Sequence, residues 1–145
     1  MQVGIGFSQD IKALQAGKSA AKQAVKQSGQ PNITFLFTTG NYDPAEVLAG
    51  VQSVIGSSQL VGASTYGIIT RSGVCTSGVG VCCLRGATIR AVTHLQKQFP
   101  AASSKHRDKI KIEHLLQQND GTPGTVFVFP HGLGNNISTL LRQLH

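Results

Sequence analysis

The run Ile33-Thr34-Phe35-Leu36-Phe37-Thr38, followed by Asn41-Tyr42-Asp43-Pro44-Ala45-Glu46 and then Leu60-Val61-Gly62-Ala63-Ser64, decides the fold. The first stretch is β-branched and aromatic without a charge, as expected of a strand covered on both faces. In the second, Asp43 fits the N-cap, Pro44 the first helical position, and Glu46 completes a capping box. Val47, Leu48, Val51, Val54 and Ile55 then recur at helical spacing as one apolar stripe, which Gly56 closes. The third stretch is another apolar, buried strand. Strand, helix and strand in that order form the parallel crossover unit. The spacing therefore predicts an α/β fold of largely parallel buried strands with flanking helices.

Upstream, Asp10 is expected to cap a helix running to about Ser28. Ile11, Leu14, Ala21, Ala24 and Val25 fall on its inner side, Lys12, Lys22 and Lys26 on its outer side, and Gly29 ends it. Downstream of Gly67 the helical period disappears. Short antiparallel strands are expected at about 67–70, 77–84 and 87–94, with a tight turn near Arg85-Gly86. A helical pattern resumes from about Ser104 to Asn119, although Ile110-Lys111-Ile112 also reads as a strand. Gly124 to Phe129 is a further expected strand, and a helix follows from about Asn135.

Residues 31–40 are echoed by residues 123–132 at an offset of 92, with the proline, both phenylalanines and the final glycine coinciding. Two readings stay open: a structural repeat, or the common demand of two buried strands. On the repeat reading a strand resembling Leu60 to Ser64 would follow beyond His145. The last helix, carrying Ile137, Leu140, Leu141 and Leu144, would then lack its partner. The expectation is an α/β unit over 1–145 that is incomplete at its C-terminus.

The length of 145 residues suits one hydrophobic core. Apolar residues at 40% and a mean hydropathy of +0.00 exclude a membrane bundle and argue against disorder. No stretch approaches the roughly 20 apolar residues of a membrane span, and the N-terminus lacks the charge pattern of a secretory signal. The three cysteines cannot all pair within the chain, and Cys82 and Cys83 should face opposite sides of a strand. With no C-x-x-C spacing, reduced thiols of a cytoplasmic protein are expected. The net charge is +7, with Lys18, Lys22 and Lys26 on one helical edge and Lys105, Arg107, Lys109 and Lys111 in a second group. Both read as solvated faces. No nucleic-acid-binding motif accompanies them, and tryptophan is absent, so nucleic acid is not the expected partner.

Gly62-Ala63-Ser64-Thr65-Tyr66-Gly67 invites comparison with the G-x-S-x-G elbow of a serine hydrolase, but the second glycine falls one residue late. No Asp or Glu lies between Glu46 and Asp108 to complete a triad, so a strand-end turn is the better reading. Gly4-Ile5-Gly6 could cradle a phosphate before the first helix, yet Gln9 stands where the third glycine of G-x-G-x-x-G belongs. The histidines show no metal-ligand spacing. His131, between Pro130 and Gly132 after a strand, has site-like placement, with a hydrogen-bonded loop residue favoured over a haem or metal ligand. In open α/β sheets ligands bind beyond the carboxyl ends of strands. Those ends supply Thr39, Gly40, Asn41, Ser64, Thr65, Tyr66, Gly67, His131 and Gly132 as ligand-binding candidates. This inventory offers hydroxyls, an amide, a phenol and an imidazole but no general-base carboxylate, which points to binding rather than catalysis.

These residues resemble the N-terminal part of the FIST domain. The likeness rests on Gly4-Ile5-Gly6-Phe7-Ser8, Phe35-Leu36-Phe37, Tyr42-Asp43, Val61 through Ile69 with Gly73, and Phe127 through Leu133. It spans nearly the whole chain through short, glycine-rich motifs. The resemblance implies a non-enzymatic sensory domain of cytoplasmic signal-transduction proteins, binding a small polar metabolite such as an amino acid. It also implies an output module such as a kinase, cyclase or chemoreceptor. Haem-based nitric-oxide sensing in some members supplies an alternative in which His131 matters; the remaining alternative is a small serine hydrolase using Ser64. The family's usual C-terminal half has no match here.

Overall fold

The computed structural model describes residues 1–95 and 124–130. The chain divides into two units, Met1–Thr93 and His94–His145. The first contains β1 (Gln2–Ser8), α1 (Ala13–Ser28), β2 (Ile33–Thr39), α2 (Pro44–Ile55), β3 (Gln59–Thr65), β4 (Ile68–Thr70), β5 (Gly73–Cys75) and β6 (Val79–Arg85). In the second, residues 124–130 adopt no regular secondary structure.

The α/β expectation holds, in the form of a mixed sheet. Its strand order is β1-β6-β2-β3, with β2 and β3 parallel and β6 antiparallel to both β1 and β2. β4 and β5 form a separate hairpin. The antiparallel component therefore reaches further than a terminal meander, because β6 inserts between the two strands that precede the helices. That insertion also explains why 87–94 is not a strand. Both edges of β6 are already paired, so the chain leaves in a turn, with Ile89 N–H donating to Gly86 O at 3.1 Å. The run 124–129 is likewise not a strand.

β2-α2-β3 forms in the predicted order, but the expected capping box does not: the Glu46 carboxylate takes no hydrogen bond from Asp43 N–H among the described residues, and Asp43 alone caps the helix. Asp43 accepts from the N–H groups of Ala45 and Glu46, and Pro44 opens the helix. Val47, Val51 and Ile55 are fully buried, with Leu48 and Val54 packed at the margin. β3 is half-exposed rather than buried, being the edge strand beyond β2.

α1 departs from its sequence reading. Asp10 does not cap it; its carboxylate accepts from Lys12 N–H at 3.2 Å, in a turn that precedes the helix. Lys12 occupies the N-cap and makes no side-chain cap. Ile11 is almost fully exposed and Leu14 is 42% exposed, while Ala13, Ala16, Gly17, Ala20, Ala21 and Ala24 are buried. The buried face consists of small residues because the backbones come unusually close. A Cβ on Gly4 would lie 1.9 Å from Ala24 O, and one on Gly6 would lie 1.8 Å from Ala20 O. Gly17 and Gly50 play the same part between α1 and α2. Gly4-Ile5-Gly6 is thus part of β1, and its glycines admit a helix rather than a phosphate.

The outer edge of β1 is covered by side chains of α1. Gln27 Nε2 donates to Ile5 O at 2.7 Å, Gln27 Oε1 accepts from Ile5 N–H, and Gln23 Oε1 accepts from Phe7 N–H. An edge strand left open is a template for unwanted pairing, and the two glutamines occupy it.

Candidate functional site

β1, β2 and β3 run in the same direction, so their carboxyl ends, at Ser8, Thr39 and Thr65, lie at one end of the sheet. α1 follows β1 and α2 follows β2, which brings both helix N-termini to that end as well. Helix N-termini carry partial positive charge and unpaired N–H groups, so the topology gathers donors there.

Thr39, Gly40 and Asn41 occupy this end, next to the start of β6. Thr39 is buried, and its Oγ1 donates to Gly78 O and accepts from Gly78 N–H at 3.0 Å. Asn41 Oδ1 competes with Gly78 O for the single hydroxyl proton of Thr39, while Asn41 Nδ2 donates to Ser77 Oγ at 2.7 Å. Gln9 Nε2 adds a bond to Ser77 O. This network ties the turn after β2 to the strand beside it and largely satisfies itself. Gly40 is exposed with open space around its Cα.

Ser64, Thr65, Tyr66 and Gly67 lie on the neighbouring strand end, Ser64 and Thr65 in register with Thr38 and Thr39. Thr65 Oγ1 donates to Gly67 O at 3.1 Å, and Tyr66 is 91% exposed. Ser64 is within β3, and the chain passes on into β4 rather than a helix, so the strand-to-helix elbow of a serine hydrolase is missing at this residue. His131 and Gly132 lie outside the described residues. The structure therefore brings together Thr39, Gly40, Asn41, Ser64, Thr65, Tyr66 and Gly67 at one end of the sheet.

An open cleft of about 490 Å³ at the same end was not anticipated. Ile11, Lys12, Ala13, Leu14 and Gln15 of α1's approach and first turn line one side. Asn41, Tyr42, Asp43 and Glu46 line the other. Asn41 is common to the cleft and to the sequence-predicted set. The one sequence signal for the rest was the polar run Asn41-Tyr42-Asp43 before α2. The α1 side was hidden by the expectation that Asp10 caps the helix and that Ile11 and Leu14 are core.

The family model that matches this chain is the FIST N domain, over residues 32–145. The chain belongs to the FIST N domain family. The family is a sensory domain of signal-transduction proteins. No curated protein matches the chain significantly. In this FIST N domain the cysteines lie as expected: Cys83 is buried on the helix side, and Cys82 is half-buried on the opposite face. Burial pushes both thiols above their ordinary ionisation range, offset in part at Cys83 by hydrogen bonding to Thr34. Among the described residues no cluster of His, Cys, Asp or Glu has the makings of a metal site, and no helix is long and apolar enough to cross a membrane.

Proposed function

We propose that this FIST N domain is a non-enzymatic sensor of a small polar metabolite such as an amino acid, bound at the end of the sheet where the strand ends and helix N-termini converge. The observation that carries this reading is that convergence, in a member of a sensory family. Asn41, Ser64, Thr65 and Tyr66 supply hydrogen-bonding groups around it, with the buried Thr39 fixing the turn that carries Gly40 and Asn41, chemistry suited to recognition without bond breaking. The proposal includes a cytoplasmic location and an output module, of the kinase, cyclase or chemoreceptor type, that reads ligand occupancy.

A thermal-shift screen of the full chain against amino acids and related polar metabolites tests the reading. A ligand present at 100 times its Kd stabilises the folded state by about 2.7 kcal/mol. A saturable rise in Tm with one chemical class is expected; no rise with any compound at millimolar concentration removes the proposal.

A further inference from the structure

Leu14, Lys18, Lys22 and Lys26 are spaced four residues apart in α1, so they follow one another along one side of the helix. Each step rises about 6 Å, which sets the three lysines along about 12 Å of helix. Leu14, Lys22 and Lys26 are exposed, and Lys18 is half-buried. Ile11, which lines the same cleft wall as Leu14, leaves a second apolar side chain exposed near that end of the row. The other polar residues of the helix are already committed: Gln23 and Gln27 hold the edge of β1.

The row carries its charge without compensation. α1 contains no acidic residue. The acids of Met1–Thr93 are Asp10, Asp43 and Glu46, and they precede α1 or open α2. Among the described residues none of them is ion-paired with the row. Like charges four residues apart on a helix repel by about as much as an opposite pair attracts. Lys26 is offset by its place in the last turn, where the helix dipole favours a cation. Lys18 and Lys22 have no such return, and a neutral residue at either would make a more stable helix. Nor do Lys22 and Lys26 shield a core, because α1 buries its alanine and glycine face instead.

We propose that this row is a docking surface for an acidic segment of a partner protein. The segment presents an apolar residue and then carboxylates at intervals of about 6 Å, as every fourth residue of a helix does. Its apolar residue packs on Leu14 and Ile11 and fixes the register, while its carboxylates pair with Lys18, Lys22 and Lys26. Exposed pairs of this kind set partner choice and orientation more than raw affinity. A lipid surface fits less well, because the apolar side of α1 that would enter a bilayer is packed on β1 and α2. Nucleic acid also fits less well, since α1 has no aromatic residue to stack on a base and three phosphate contacts give only weak, sequence-independent attraction. The surface is separate from the sheet-end residues of the sensor reading and stands or falls without them.

The test is amide NMR of the ¹⁵N-labelled full chain at low salt, titrated with an alanine-based helical peptide that carries Leu, Glu, Glu and Glu at successive fourth positions. The amides of Leu14, Lys18, Lys22 and Lys26 should shift saturably, and salt at about 0.5 M should abolish the effect. A peptide of the same composition with its Glu residues on different faces should bind more weakly. Lys22→Gln should weaken the patterned peptide by roughly 1.4- to 5-fold, the range of one exposed ion pair, and Lys22→Glu should weaken it further. Both variants should keep or raise Tm, because each relieves repulsion along the row; a fall in Tm with Lys22→Gln would make that lysine a structural residue and overturn the proposal. Equal binding of the two peptides, or no shift along α1 with either, also overturns it. Larger shifts along α1 with duplex DNA or with phosphatidylserine vesicles than with the patterned peptide overturn the protein partner in favour of nucleic acid or lipid.

Discussion

Replacing Gly6 by alanine tests the close approach on which the whole layer of helices depends. The added Cβ would sit 1.8 Å from Ala20 O, whereas ordinary contact begins near 3.4 Å, so α1 must retreat by about 1.5 Å. The obstructing atom is a backbone carbonyl within a helix of 16 residues, and it cannot rotate aside as a side chain would. Moving α1 also draws Gln23 and Gln27 away from the edge of β1 and loosens Ala16, Ala20 and Ala24. Overpacking costs about 1–3 kcal/mol and occasionally more; a rigid obstruction places Gly6→Ala at about 3 kcal/mol or above. For a unit of this size that is a fall in Tm of roughly 12–24 °C. Urea unfolding of the full chain followed by circular dichroism measures it. Gly40→Ala is the matched control, since a Cβ there meets nothing within 4 Å. That control should stay within about 0.5 kcal/mol of wild type. If Gly6→Ala is equally silent, the glycine-mediated contact between β1 and α1 is not a determinant of the fold.

Other substitutions probe separate parts of the unit. Asp43→Ala removes both cap bonds of α2 and should cost about 1 kcal/mol in urea unfolding; an unchanged midpoint would show the cap to be idle. The pair Gln23→Ala and Gln27→Ala should speed amide exchange at Ile5 and Phe7 and promote concentration-dependent association in sedimentation, as expected of an uncovered edge. Cys82 and Cys83 hold their protons above the ordinary value of 9.0 in the folded state, whereas the unfolded thiols ionise there. Their stabilising contribution is therefore complete below that pH and is lost as pH rises past it. Unfolding midpoints between pH 7 and 10 should fall less steeply in the variant with both cysteines changed to alanine; an identical slope would exclude the thiols as the cause.

Where local chemistry and packing agree, the sequence was a sufficient guide. Asp43-Pro44 and the stripe Val47, Val51, Ile55 announced α2, and the uncharged run at Ile33 announced β2, because capping and periodicity act over a few residues. α1 was found in extent but misjudged in orientation. Large apolar residues at Ile11 and Leu14 suggested the buried face, yet the neighbouring backbones approach too closely for anything beyond alanine and glycine. β1 escaped for the same reason, since its buried positions are Gly4 and Gly6 and its larger residues, Val3 and Ile5, face outward. The candidate site followed the same division. Thr39, Asn41 and Thr65 were legible as strand-end polar residues, while the α1 wall of the cleft was not, because it depends on a cap that Asp10 is placed to make and does not.

By itself, then, the sequence determined the βαβ unit from β2 to β3, the α/β class and the family, all encoded in contiguous residues. Only the tertiary structure decided that β6 lies between β1 and β2, that glycines let α1 press onto β1, and that two helix N-termini meet over one cleft. The physical reason is that each of these is a choice of partner. Partner choice is made by close packing and by the edges left free once other strands have paired, and neither is a property of any local run of residues.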